Sequence, residues 1–242
     1  MAYVIGGTSA ISDDAYDDIH AHVSSIQRIW GDNRYHTAER VGYYVVDIMN
    51  NASPDGFVDQ AFFVRGDTYP DALAAAPVAF ARKAPIILVR PNELPVESAR
   101  LISFAPIKTG VVIGGTSAVS AAVKSQIDSG LVANGGFATQ RWYDANRFET
   151  ATEVARFSVM YRWLDLDTVG VAVGTNYPDA LGGGTALGAY GSPLLLTGSN
   201  SVPSATATFL SQREYMLGGM EIYGGTQAIS AAVETQLESY LK

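Results

Sequence analysis

Along this chain, short unbroken apolar runs alternate with segments whose apolar residues recur every three or four positions. Ala61-Phe62-Phe63-Val64, Ile86-Ile87-Leu88-Val89, Gly110-Val111-Val112-Ile113, Thr168 to Val173 and Leu194-Leu195-Leu196 read as strands. They lack the polar alternation of a half-exposed strand, and runs of this kind belong to parallel sheets covered on both faces. Between them, Thr37 to Met49 carries Ala38, Val41, Val45 and Ile48 at helical spacing. Asp71 to about Arg82 reads as an Ala-rich helix with Asp71 as N-cap and Pro77 inside it. Val96 to Phe104 reads as a short helix, and Ser117 or Ser120 caps another with Val119, Val123 and Ile127 on one face. The alternation predicts βαβ crossovers and an α/β layered fold with mainly parallel sheets.

The pattern is written more than once. Val4 to Ser12 (VIGGTSAIS) returns as Val112 to Ser120 and again as Ile222 to Ser230. Gly6 and Gly114 are 108 residues apart, and Gly114 and Gly224 are 110 apart. Asn33-Arg34-Tyr35, Gly66 to Leu73 and Ala84 to Val89 reappear in order as Asn146-Arg147-Phe148, Gly174 to Leu181 and Ser192 to Thr197. In the second copy Gly182-Gly183-Gly184 replaces alanines, which weakens the expected helix start. The organisation expected is a partial repeat over 1–27 and full repeats over 28–140 and 141–242. Three strand–Gly-Gly–helix units serve two full repeats. The extra one belongs to an upstream module or pairs with another chain, so self-association through the partial repeat is an expectation. Tandem copies favour binding and avidity over catalysis.

A hydrophobic content of 48% with 17% charged residues describes a chain with a sizeable core. The net charge of −8 argues against nucleic acid, whose binders carry basic stripes. With no cysteine, disulfides, thiolate metal sites and cysteine nucleophiles are all excluded. No apolar stretch approaches membrane-helix length. No basic segment or cleavage site precedes Tyr3, so a signal peptide would lie on a further segment.

Three motifs carry candidate chemistry. The Gly-Gly-Thr turns are either phosphate cradles on a helix N-terminus or tight βα turns that need glycine for conformation or close packing. In Tyr69-Pro70-Asp71 and Tyr177-Pro178-Asp179, the Asp either starts a helix or faces a ligand beyond the carboxyl end of a strand. Arg34-Tyr35 and Arg147-Phe148 pair a guanidinium with an aromatic ring, suited to anion holding and sugar stacking, or alternatively to an ion pair with the Asp. Arg28 and Arg141 lie slightly upstream of the same clusters. Catalytic signatures are missing: His20, His22 and His36 form no ligand or triad spacing, and Asp13, Asp14, Asp17 and Asp18 read as a solvated face. No catalytic residue, cofactor or metal is expected.

Taken in order, Val-Ile-Gly-Gly-Thr-Ser-Ala-Val-Ser, Gly-Asp-Asn-Arg-Tyr-His-Thr-Ala, Tyr-Pro-Asp-Ala-Leu-Ala-Ala-Ala-Pro and Ala-Pro-Ile-Ile-Leu-Val resemble the type 2 cell wall binding repeat of Gram-positive surface proteins and autolysins. The resemblance covers nearly the whole chain. It implies Rossmann- or Toprim-like modules, in that family found as three copies in a pseudo-threefold unit. It also implies a non-catalytic role: anchoring a surface protein to an anionic wall glycopolymer of the teichoic type, outside the cell. The family's polymer-anchoring segment falls on Pro85, Ile86, Ile87 and Leu88 and on Pro193, Leu194, Leu195 and Leu196. Arg34, Tyr35, Tyr69, Asp71, Arg147, Phe148, Tyr177 and Asp179 are the other candidate ligand residues, expected at grooves between modules. A self-assembling surface-layer or virion protein built on the same module is the alternative.

Overall fold

The structure is a computed structural model that describes residues 1–52 and 58–241. An N-terminal β1 (Ala2–Ile5), α1 (Asp13–His20) and β2 (Ile26–Ile29) form a two-stranded parallel unit. There follow α2 (Arg34–Ala52), β3 (Gln60–Arg65), α3 (Pro70–Ala81), β4 (Ile86–Val89), α4 (Val96–Phe104), β5 (Thr109–Ile113), α5 (Ala121–Ala133) and β6 (Gln140–Trp142). The pattern repeats as α6 (Arg147–Met160), β7 (Thr168–Val173), α7 (Pro178–Tyr190), β8 (Leu194–Thr197), α8 (Ser204–Ser211), β9 (Gly219–Tyr223) and α9 (Ala231–Glu238). The sheet orders are β4-β3-β5-β6 and β8-β7-β9, every pairing parallel. The expected α/β fold of repeated, mainly parallel modules is the observed one.

Both faces of β3 are covered, which explains its unbroken apolar run. Phe62 and Val64 point toward α3 and the second module, sharing one cluster with Leu73, Val111, Ile113, Trp142, Leu194 and Leu196. Ala61 and Phe63 point the other way, into a cluster with Ile87, Leu101, Val112, Val123 and Ile127 from α4, α5 and the neighbouring strands. All of these side chains are at most 2% exposed. A void left by Phe63→Ala at such a position would cost about 3–5 kcal/mol.

The modules interlock. The boundaries expected at 27/28 and 140/141 each fall inside a strand, β2 and β6. Val111, Val112 and Ile113 of β5 pair with Gln140, Arg141 and Trp142 of β6, so residues opening the second repeat complete the first sheet. Trp142 then stacks on Phe157 of α6 at 5.1 Å and lies 5.6 Å from Trp163. In the same cluster, α3 packs on α7, α6 and β8.

Helix α7 runs its full 13 residues despite the three glycines at its start. A β-carbon at Gly184 would lie 3.0 Å from the Ala76 β-carbon, and one at Gly188 would lie 2.6 Å from that of Phe80. A β-carbon at Gly183 would meet the Tyr223 ring at 2.6 Å, whereas Gly182 has open space. Two of the three glycines are therefore set by close packing, which offsets their poor helix propensity of about 1 kcal/mol each.

The two α3-type helices end alike but with different residues. Lys83 N–H donates to Phe80 O and Ala84 N–H to Ala79 O; Gly191 N–H donates to Gly188 O and Ser192 N–H to Leu187 O. Gly191 has φ +74° and Lys83 has φ +53°, a left-handed conformation that suits glycine and strains lysine. Lys83→Gly should therefore raise unfolding stability by about 0.5–1 kcal/mol, net of glycine's greater unfolded-state freedom. Urea denaturation midpoints would check this; an unchanged or lower midpoint would contradict the strain.

Candidate functional site

Most candidate residues gather at the carboxyl ends of the strands of the two larger sheets, where open α/β sheets bind ligands. Strand β5 ends in Gly114-Gly115, and the turn has a defined stereochemistry. The first glycine is left-handed in all three copies, with φ +130° at Gly6, +108° at Gly114 and +127° at Gly224. An arginine from the next strand then fixes the turn's carbonyls. Arg141 Nη1 donates to Gly114 O at 2.7 Å and Nη2 to Val119 O at 2.8 Å. Arg28 makes the equivalent bonds to Gly6 O at 3.1 Å and Ile11 O at 2.7 Å.

Asp71 rests against this turn. Its Oδ2 is 2.5 Å from where a β-carbon at Gly114 would sit, and Asp179 stands 2.9 Å from the same point at Gly224. The carboxylate is not the helix N-cap expected from sequence. Tyr69 occupies the cap position, without a capping side-chain bond, and Pro70 is the first helical residue. Tyr177 and Pro178 repeat this arrangement in α7. Proline with its fixed φ starts the helix unaided, which frees Asp71 to turn inward. Burial pushes the Asp71 carboxyl up to about 6, partly opposed by the positive charges of Arg147 and Arg65.

The Asn-Arg-aromatic motif resolves into three tasks, performed identically in both copies. Asn33 Oδ1 accepts from the Tyr35 and His36 amides, and Asn146 Oδ1 from those of Phe148 and Glu149, so the Asn caps its helix. Arg34 Nη1 donates to Gly66 O at 2.8 Å and Arg147 Nη1 to Gly174 O at 2.7 Å, bracing the loops after β3 and β7. The aromatic ring packs on the same glycine: a β-carbon at Gly66 would lie 2.7 Å from the Tyr35 ring, and one at Gly174 would lie 2.7 Å from that of Phe148. Tyr35 is buried, and the Arg90 guanidinium covers it 4.8 Å from the ring centroid. The Tyr35 ring thus has Gly66 and Arg90 as its neighbours inside the protein.

Both tyrosines of the Tyr-Pro-Asp motif lie at the junction between modules. Tyr69 Oη donates to Thr175 O at 2.6 Å, and the Tyr69 and Tyr177 rings are 5.3 Å apart. Together with Arg34, Leu88 and Leu181 they border an open groove of about 740 Å³. The two apolar anchoring segments have different surroundings. Pro193, Leu194, Leu195 and Leu196 are buried, Leu194 and Leu196 in the cluster shared with α3. Pro85 and Ile87 are also buried, but Ile86 and Leu88 reach the groove.

Sequence reasoning missed two residues. Trp30 and Tyr143 each stand two positions after the turn-fixing arginine, are 44% and 50% exposed, and lie against the second glycine of a Gly-Gly turn. The available signal was an aromatic at the same place in both repeats, after strands whose own residues differ (Ile29 and Trp142).

The upward shift of Asp71 fixes the sign of its contribution to stability. A carboxyl that titrates near 6 when folded and near 3.8 when unfolded is costly to keep ionised in the native state. That cost is complete above pH 6 and disappears as the pH falls through this window toward the unfolded value. Asp71→Asn should therefore be more stable than wild type at pH 8, by at most about 2 kcal/mol once the partial exposure of the carboxylate is allowed for. The advantage should vanish by pH 4. Melting temperatures of both proteins from pH 4 to 8 would check this, and a pH-independent difference would refute it.

The sequence and the fold have counterparts among known proteins. The model of cell wall binding domain 2 (CWB2) matches residues 28–124 and 141–234. N-acetylmuramoyl-L-alanine amidase LytC of Bacillus subtilis (strain 168) is 28% identical over 219 residues, covering 89% of this chain and 39% of that protein. The amidase enhancer of the same organism is 29% identical over 240 residues, covering 98% of this chain and 30% of the enhancer. Among solved structures, Cwp8 from Clostridium difficile superposes with a TM-score of 0.77 at 20% identity, over 99% of this chain and 38% of Cwp8. Cwp6 from the same organism gives 0.71 at 25% identity, over 88% and 31%. The chain thus spans well under half the length of each of these proteins. With both repeats matched, the chain belongs to the cell wall binding domain 2 family.

Proposed function

We propose that this chain is a non-catalytic module that holds a surface protein on an anionic wall glycopolymer. The observation that carries the reading is the family match over both repeats, which is the portion of the chain where every candidate residue lies. The electrostatics support it locally even though the net charge is −8. Arg34 and Arg147 each spend one Nη on a backbone carbonyl, which leaves further guanidinium N–H groups to meet a phosphate or carboxylate. Screening confines the influence of distant acidic residues to about 10 Å at moderate salt. Asp71 is buried against Gly114, where burial disfavours its charge, so it offsets little of the positive charge of Arg147 at the module junction. In this reading the amidase and amidase-enhancer relatives share the anchoring portion with this chain, and their named activities reside in the remainder of those proteins.

The test is sedimentation with protein-stripped Bacillus subtilis sacculi, before and after hydrofluoric acid removes phosphodiester-linked polymer. Wild type should co-sediment with the intact sacculi and lose on the order of tenfold in apparent affinity after the acid treatment, equivalent to about 1.4 kcal/mol. Arg34→Ala with Arg147→Ala should show the same loss on intact sacculi with a lowered melting temperature, because both loop braces are lost, but a native circular-dichroism spectrum at the assay temperature. Equal binding to both sacculus preparations would rule out the polymer as ligand.

A further inference from the structure

The second glycine of each Gly-Gly turn has no conformational explanation. Gly7 and Gly115 lack the positive φ of the glycines before them. What they have is an aromatic ring. A β-carbon at Gly115 would lie 3.2 Å from the Tyr143 ring, tighter than ordinary contact, and one at Gly7 would lie 3.6 Å from that of Trp30. At Gly225 a β-carbon would meet nothing within 4 Å. At Gly115 the glycine lets the Tyr143 ring lie close along the backbone, whereas Trp30 lies at ordinary contact distance over Gly7; 44% of Trp30 and 50% of Tyr143 stay open to water. Each ring is held on a turn that Arg28 or Arg141 already fixes by carbonyl bonds. The Arg40 guanidinium lies 5.9 Å from the Trp30 ring centroid. A ring held in this way loses little further entropy when something lies on it.

We infer that Trp30 and Tyr143 are a pair of stacking platforms, one per repeat, for the pyranose rings of a glycopolymer. This rests on the wall-polymer reading above and assigns its sugar, as distinct from its anionic, contacts. The apolar C–H face of a pyranose lies on the negative face of an aromatic ring. The ring pre-organised on its glycine supplies that face at the same strand ends where the arginines stand. Tyr35, the ring that sequence pairs with an arginine, is buried beneath Arg90 and leaves this role to the exposed rings.

Binding of Bacillus subtilis wall polymer extracted with cold trichloroacetic acid, and of intact sacculi, would be titrated for wild type, Trp30→Ala, Tyr143→Ala, the double variant, and the ring-retaining Trp30→Phe and Tyr143→Phe. Each alanine should weaken binding on the order of tenfold, the upper end of what one ring contact contributes, while the phenylalanine variants stay within about threefold of wild type. The loss should persist at high salt, because stacking, unlike an ion contact, is not screened. Melting temperatures separate lost contact from lost fold, and the phenylalanine variants keep the packing on glycine. If wild type binds and the double alanine variant binds equally, or the loss disappears at high salt, the platform assignment is wrong and the anchoring role stands. If wild type binds neither preparation, both fall.

Discussion

The close approach of α3 to α7 governs the rest of the molecule. Ala76, Pro77 and Phe80 of one helix settle onto Gly184 and Gly188 of the other, at a separation that leaves no room for a β-carbon. That contact brings the two sheets into one cluster, in which Phe62 and Leu73 of the first module and Leu187, Leu194 and Leu196 of the second are all at most 1% exposed. It also sets the spacing at the strand ends. Tyr69 reaches Thr175 O across a junction where glycine lets α3 and α7 come this close, and Asp71 on α3 lies in the field of Arg147 on α6. Dispersion and desolvation over such a dry contact outweigh the propensity lost by writing glycine into a helix.

Polar groups at the site follow from the same economy of space. Two arginines per repeat act first on backbone carbonyls: one on the loop after the central strand, the other on the Gly-Gly turn. Charge-assisted bonds of this type hold loops that carry few apolar contacts of their own. They also keep cations at the carboxyl ends of strands, in a chain whose overall charge is negative. Asp71 is the counterpoint, a carboxylate placed where burial disfavours its charge and two arginines only partly restore it. A group held against its preferred protonation state is a cost to the fold, and such costs concentrate at functional sites.

Much of this was legible in the chain itself. Unbroken apolar runs announced parallel strands, because only a strand covered on both sides tolerates Phe62 beside Phe63. The internal repeat announced modules. What local patterns did not reveal were features decided by distant residues. Asp71 reads as an N-cap, and only the proximity of Gly114 and the self-sufficient start at Pro70 explain why it is not one. Gly182-Gly183-Gly184 reads as a weakness until Tyr223 and Ala76 are seen to fill the space that Gly183 and Gly184 leave. Tyr35 reads as a ring beside a cation, and so it is, but the cation over it is Arg90, far away in sequence. Trp30 and Tyr143 differ in identity and follow dissimilar strands, so their shared position emerges only once both are found on glycine.

The strand β6, encoded at the head of one repeat and hydrogen-bonded into the sheet of the other, has a mechanical meaning. The two modules are joined by a clasp instead of a tether. A pull along the chain between them meets three paired residues of parallel ladder and, behind them, Trp142 wedged among Phe62, Phe157 and Trp163. Tension therefore reaches the edge strand of a sheet before it can lengthen any linker. For a domain whose family grips the cell wall, force arriving at one repeat is shared with the next, and separating the modules requires breaking one of them.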